Sequence, residues 1–338
     1  MKARVKVFLT VDTEFWPRFR GWPPLGLSQE QQLTYLTPDL QRDIDGLTPQ
    51  GDFGLSYQLK VLNVHGLKGV FLVEALFADA LGLEPLRRIV QMIQEAGQEV
   101  QIHLHPEWLP WVSPPILPGR RGENVKDFSE DEQTLLIARG IENLKKAGAG
   151  DICAFRAGNY GANFQTLRAL ARNGILYDTS YNYCYLDSWC GMQTDEPWLH
   201  PRDRDDVSEL PVSYFRAWAG PYRHAQITAC SSDEMESALL HAWNERWFSF
   251  VIVSHSFELI RRERGQQPRA DRIAIRRFER LCRFLDSQRE KFDTSFFSEL
   301  DPVEVRSAAA TARPARPSQV PTQYTLRRFA EQALRKVW

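Results

Sequence analysis

The chain has 338 residues, 43% hydrophobic and 25% charged, enough for one large core or two modest ones. A formal net charge of −1 gives no reason to expect nucleic acid or an anionic membrane as partner. No stretch approaches the ~18 uncharged residues of a membrane span, and the first apolar run is interrupted by Lys6 and closed by Asp12, so neither a transmembrane segment nor a signal peptide is expected and the protein reads as cytoplasmic.

In chain order, residues 5–11 read as a buried strand, VKVFLTV. Leu59, Leu62 and Val64 then follow a helical pattern ending at Gly66, and GVFLV (69–73) is a second strand. Pro85 opens a helix with Leu86, Ile89, Val90 and Ile93 on one face, stopped by Gly97 and leading into EVQIH. Ser129 and Glu132 form a capping box for a helix to Lys146, ICAFR is a strand, and Asn163 caps a helix ending at Gly174. ILYDT and LPVSYF read as strands, Ser231 and Glu234 open a helix through Trp247, SFVIVSH is a strand, and DRIAIRRFERLCRFLDSQ is the last long amphipathic helix. Strand and helix alternate throughout, which predicts an α/β fold with a parallel sheet, closed as a barrel.

Two long interruptions, 15–53 and 104–128, begin at strand ends and are expected to wall a substrate cleft. After a catalytic unit of residues 1–301, residues 302–323 read as an Ala/Pro/Ser-rich linker, mobile from about Ser307 and dispensable to catalysis. Residues 324–338 read as a basic amphipathic tail, either folded back on the domain or making a peripheral contact. Five cysteines with no CxxC pair fit reduced thiols.

The chemistry-bearing side chains fall at strand ends: Asp12 and Glu14, His103 and His105, Arg156, Asp178, and His255. In a β/α barrel those ends share one face. His103 and His105 point to one side of a continuing strand, and two imidazoles with a carboxylate suit Zn²⁺ or a similar divalent metal, one per chain. Asp12, Glu14, or Glu107 if the chain turns at Pro106, can supply the carboxylate.

The ordered series LTVDTE, HLHPE, FRAGNYG, YDTSY and IVSHS, over roughly residues 5–300, resembles the polysaccharide deacetylases, the NodB-homology carbohydrate esterases, and among them a diverged WalW-like branch. The resemblance implies a distorted (β/α) barrel of about seven strands and removal of an acetyl (N-acyl) group from a sugar or glycan intermediate, in the making of cell-surface polysaccharide or lipopolysaccharide. It makes Asp12 the general base held by Arg156, and His255 the general acid oriented by Asp178. His103 becomes a metal ligand, and backbone groups around Asn159 and Tyr160, with Trp108 nearby, become substrate contacts. Thr13 stands where the family has a second aspartate and Glu107 where it has a second histidine, so the usual Asp-His-His triad is replaced. Two other readings are compatible with the residues: a different metal-dependent hydrolase on a similar barrel, such as a phosphoesterase or amidohydrolase, and a non-catalytic sugar-binding protein with a degraded metal site.

Overall fold

The computed structural model describes residues 2–17, 21–186, 188–218, 220, 222–263, 266–312 and 316–337. Residues 18–20 of the first long loop, 313–315 of the expected linker and 338 of the tail lie outside the described residues.

Seven strands form the frame: β1 Val5–Thr13, β2 Gly69–Glu74, β3 Glu99–Leu104, β4 Ala154–Ala157, β5 Tyr177–Asp178, β6 Val207–Glu209 and β7 Ser249–His255. They are all parallel, in the order β7-β1-β2-β3-β4-β5-β6. Beyond β6 the chain returns to β7: Val212 bridges Val251, Gln226 bridges Val253, and the Ser213 amide donates to the Val251 carbonyl at 3.1 Å. The sheet therefore closes on itself loosely, and the fold is the anticipated α/β distorted barrel of about seven strands.

Each strand alternates between two environments. One set of side chains, Val7, Leu9, Val11, Phe71, Val73, Ile102, Leu104 and Phe155, packs outward under the helices. The other, Phe8, Val70, Leu72, Ala154, Tyr177, Leu210, Val251 and Val253, fills the barrel interior, where Phe297 stacks on Phe8 at 4.6 Å. Continued upward by two residues at a time, the interior series becomes polar: Phe8 leads to Thr10 and Asp12, Leu72 to Glu74, Ala154 to Arg156, and Val253 to His255. An apolar floor and a polar mouth at the strand C-termini result from one periodicity.

The covering helices form over the expected segments: Leu55–Val64, Glu84–Glu95, Glu130–Lys146, Phe164–Arg172, Ser232–Asn244 and Arg272–Ser287. Both Ser/Glu capping boxes are made. Val64 is the exception within the first, 71% exposed rather than on the buried face with Leu59 and Leu62.

The long interruptions are not simple loops. Gln29–Leu40 is a helix, with Ser28 and Gln31 closing a capping box, and it runs into a turn of π-helix at Gln41–Asp45. Residues 106–111 form a 3₁₀ helix. The expected linker is likewise built: Pro302–Thr311 is a helix capped by Asp301, with Val305 and Ala309 buried. Ser318–Gln319 pairs with Phe215–Arg216. The tail helix Thr322–Val337 is docked by Arg328, 1% exposed, against the buried Glu234 carboxylate at 3.2 Å. Composition pointed to a linker, but short apolar side chains suffice to bury a helix against strands, and a paired guanidinium anchors the tail. No helix among the described residues is long and apolar enough to cross a membrane.

Asp178 departs from its expected role. Tyr177 points into the barrel against Phe297, so the next side chain points outward. There Asp178 sits in register with Glu209, both fully buried, with Asp178 Oδ2 and Glu209 Oε2 lacking any other partner. Burial raises both carboxyl pKa values, and a proton kept on one acid would let it donate to the other. Their stabilising contribution is complete below the unfolded carboxyl pKa of about 4 and is lost as pH rises through the raised folded values. Urea midpoints at about pH 5 and about pH 8 should show the parent losing stability toward alkali, and Glu209→Gln, whose amide can donate to Asp178, should flatten that difference. An unchanged slope would remove the shared proton.

Candidate active site

The mouth of the barrel opens into a cavity of about 960 Å³ whose inner end is lined by Asp12, Glu14, His103, His105 and His255. Asp12 and His255 come together because they are register partners on neighbouring strands. Arg156 lies directly across from His103 in the β3–β4 ladder.

Three buried side chains converge. Glu14 Oε2 lies 3.1 Å from His103 Nε2 and 2.5 Å from His105 Nε2, and the two ring nitrogens are 3.1 Å apart. These three make a candidate metal group. The far nitrogen of each ring is occupied: His103 Nδ1 is 2.8 Å from the Arg156 carbonyl and His105 Nδ1 is 2.9 Å from Glu107 Oε2. Such outer partners fix ring orientation and leave both Nε2 atoms to face a cation. The carboxylate that faces the two Nε2 atoms is Glu14, whereas Glu107, another carboxylate expected there, stands behind His105 at its Nδ1. The chain does turn at Pro106, but that turn brings Glu107 to the Nδ1 side of the ring.

Burial disfavours a charged His105, yet the Glu14 and Glu107 carboxylates outweigh it and push the pKa up to about 10. Burial likewise works against an ionised Glu14, and the His105 and His103 rings override it and hold its pKa well below the usual carboxylate range. A cluster that demands a cation this strongly fits a divalent ion, which would compete with the proton.

The backing of the cluster is specific. Glu74, missed at the sequence level, accepts from the Leu76 and Phe77 amides at 2.9 and 3.0 Å and from the His105 amide at 3.3 Å. Trp16 meets the His105 ring edge-on at 4.3 Å, and its amide donates to buried Asp43 Oδ2 at 3.0 Å. Gly158 packs beneath the same ring: a Cβ there would lie 2.4 Å from His105 Nδ1. Gly158→Ala should therefore displace His105, weaken metal binding and cost about 1–3 kcal/mol of stability, read by metal content and thermal unfolding. Full metal content with an unchanged midpoint would show that the ring can move freely.

Asp12 accepts from Arg156 Nη1 at 2.7 Å, and Arg156, fully buried, also donates to Thr10 Oγ1 at 2.9 Å and to the Thr179 carbonyl at 3.0 Å. These bonds fix the guanidinium and, through it, the Asp12 rotamer. His255 is held by a partner that sequence reading did not find: its Nδ1 lies 2.7 Å from Glu258 Oε2. Glu258 in turn takes hydrogen bonds from Gln226 Nε2 at 3.1 Å, the Thr228 amide at 3.1 Å and the Thr228 hydroxyl. Burial would raise the Glu258 pKa, but His255 overrides it and brings it to about 2. Burial likewise opposes a charged His255, and Glu258 overrides it to raise the imidazole pKa. Glu258 thus occupies the place beside His255 that was expected of Asp178.

Asn159 and Tyr160 line the cavity as expected, both with left-handed backbone, φ 56° and 57°. That is uncommon for residues with a Cβ, costs on the order of 1–3 kcal/mol each, and recurs at functional sites. Tyr160 stacks on Tyr185 at 5.4 Å. Trp108 is corrected: it is 1% exposed and packs on Phe15 at 5.2 Å and Trp22 at 4.9 Å, a core residue that supports the site from behind. Among the described residues, the two long segments contribute only Trp16 and His105 to the lining, and the outer walls include Tyr185, Trp189, Phe257, Ile260 and Phe329.

No protein-family model and no curated protein matches the chain. Among solved structures it is similar to a Mycobacterium smegmatis protein assigned as a polysaccharide deacetylase, with 19% identity, 95% of this chain and 99% of that one covered, and a TM-score of 0.49. It is also similar to a family 4 carbohydrate esterase of Streptomyces lividans, solved with acetate, with 13% identity, 93% and 98% covered, and a TM-score of 0.41. A third is a peptidoglycan deacetylase of Bacillus subtilis, with 10% identity, 90% and 92% covered, and a TM-score of 0.38. These are proteins of the kind that the motif order resembles.

Proposed function

We propose that the protein is a metal-dependent hydrolase that removes an acetyl (N-acyl) group from a sugar or glycan intermediate of cell-surface polysaccharide or lipopolysaccharide biosynthesis. The observation that carries this reading is the convergence, in one cavity, of the Glu14–His103–His105 group with two separately held proton carriers, Asp12 on Arg156 and His255 on Glu258.

A divalent ion such as Zn²⁺, held by Glu14, His103 and His105, would polarise the acyl carbonyl and lower the pKa of water from 15.7 toward about 7. Asp12 takes the proton of the attacking water, and the hydrogen bond from Arg156 keeps its carboxylate aimed. His255, its Nδ1 occupied by Glu258, presents Nε2 to the cavity and protonates the departing amine. Asn159 and Tyr160 offer backbone N–H groups to the developing oxyanion.

The described residues hold one such ligand group. A two-metal phosphoesterase needs a second within about 4 Å, which weighs against that alternative. The test is acetate release from a panel of N-acetylated sugars by protein of known metal content, with Asp12→Asn alongside. Asp12→Asn should keep sugar affinity while losing most turnover. A parent protein that binds acylated sugars and releases no acetate from any would move the reading to a non-catalytic sugar-binding role.

A further inference from the structure

Behind Trp16, the one lining residue that the described part of segment 15–53 contributes, lies a buried group of charges centred on Asp43. Asp43 is fully buried in the π-helical turn Gln41–Asp45 that follows the helix Gln29–Leu40. The turn is seated tightly. A Cβ on Gly46 would lie 2.1 Å from the Gly54 nitrogen, and one on Gly54 would lie 2.2 Å from the Ile44 carbonyl oxygen, so only glycine fits at either place. Turns of π-helix interrupt the regular ladder and recur at functional sites.

Both carboxylate oxygens of Asp43 are engaged, and they reach opposite halves of the active site. Oδ2 accepts from the Trp16 amide at 3.0 Å and from Arg42 Nη2 at 2.7 Å. The same Arg42 Nη2 donates to the Trp16 carbonyl at 2.6 Å, so carboxylate and guanidinium together hold both peptide groups of the residue whose ring stands edge-on against His105. Oδ1 accepts from Arg42 Nε at 2.8 Å and from Arg262 Nη1 at 3.0 Å. The Arg262 guanidinium lies 3.5 Å over the centre of the Phe257 ring, and Phe257 stacks on His255 at 5.0 Å with 21° between the planes. Trp16, Phe257 and Ile260 form a small apolar cluster of their own, so the two arms also meet by packing.

A buried charge group of this kind adds little net stability compared with apolar side chains of the same volume, whereas its hydrogen bonds have fixed directions. Such direction is needed here. His105 follows β3 and His255 ends β7, with β1 and β2 between them in the sheet, so no ladder hydrogen bond sets the distance between the two rings.

We infer that Asp43 is a positioning residue that sets the two halves of the active site against each other, holding His105 through Trp16 and His255 through Arg262 and Phe257. Its consequence for turnover rests on the deacetylase reading, in which His255 must reach the amine of an acyl group held at the Glu14–His103–His105 end. Segment 15–53 then serves the site chiefly as a clamp and only through Trp16 as a wall.

Three variants separate the arms, read in the full-length protein by the ring Cε1–H nuclear magnetic resonance signals of its seven histidines. Arg42→Lys keeps a positive charge beside Asp43 and loses the planar fork that reaches the Trp16 carbonyl, so it should move the His105 signal and leave His255 in place. Arg262→Lys keeps its charge and loses the flat face over Phe257, so it should move His255 and leave His105 in place. Asp43→Asn should move both and weaken Zn²⁺ binding about tenfold, measured by competition with a chelator. His65 and His241, which pair elsewhere, should not respond. On turnover, Arg262→Lys should slow a sugar amide more than an activated acetate ester, and Arg42→Lys should slow both alike. If Asp43→Asn does not fold, the two lysine variants decide. Either of them leaving its own histidine unmoved, or both moving the two histidines alike, would overturn the inference and reduce the cluster to a general brace. The ring signals need no turnover, so the two readings can fail separately. The split pattern in a protein that releases no acetate sinks the deacetylase and keeps the clamp, and acetate release without the split pattern does the reverse.

Discussion

Replacing His103 and His105 together by alanine should leave a folded protein that has lost both its divalent ion and its acetate-releasing turnover. The two Nε2 atoms and Glu14 Oε2 lie within 3.1 Å of one another and are buried, so removing both rings leaves one carboxylate with no imidazole partner. Metal content after gel filtration and turnover on an N-acetylated sugar are the two readouts. Glu14→Gln should match the double variant in metal loss. Glu107→Gln should do less: its carboxylate holds His105 Nδ1 from behind, and outer partners of this kind are worth about 10–100-fold in metal affinity. A double variant that keeps one ion per chain would abolish the site, and Glu107→Gln as metal-free as Glu14→Gln would make Glu107 a ligand.

The strands and helices of the barrel were legible because period-two apolar runs and helix caps act locally, and both survive into the structure. The same periodicity explains why strand-end residues gather: a side chain two residues past an interior one is still interior, as Asp12 is after Phe8 and Thr10, Arg156 after Ala154 and His255 after Val253. It also explains the error at Asp178, which follows the interior Tyr177 by one residue and so faces the other way. Glu258 was findable in principle, three residues after His255 in HSFEL. Its role depends on a loop that folds back through Gln226 and Thr228, segments about thirty residues away in the chain. Trp108 was misplaced because an aromatic beside a candidate ligand reads equally as platform or core, and only packing on Phe15 and Trp22 decides. In the tail, composition spoke for a linker, while the buried partners of Val305 and Arg328 are hundreds or tens of residues away and leave no local trace.

His255→Ala should slow hydrolysis of a sugar amide by about 10²–10⁴-fold and an activated acetate ester much less, because only the amine leaving group needs a proton. With Asp12 required ionised and His255 required protonated, the parent rate should be bell-shaped in pH. The alkaline limb belongs to His255. Burial pulls its pKa down, and the hydrogen bond and charge of Glu258 more than offset this, leaving the imidazole pKa raised. Activity is thus present below that raised pKa and is lost as pH passes through it. Glu258→Gln keeps an oxygen for Nδ1–H but removes the charge, so the limb should move to lower pH while the acid limb stays. This separates positioning from mere support, since a variant that only loosened the loop would lower the rate at every pH without moving a limb. An alkaline limb that does not move in Glu258→Gln, or equal losses on amide and activated ester in His255→Ala, would take the acid role away from His255.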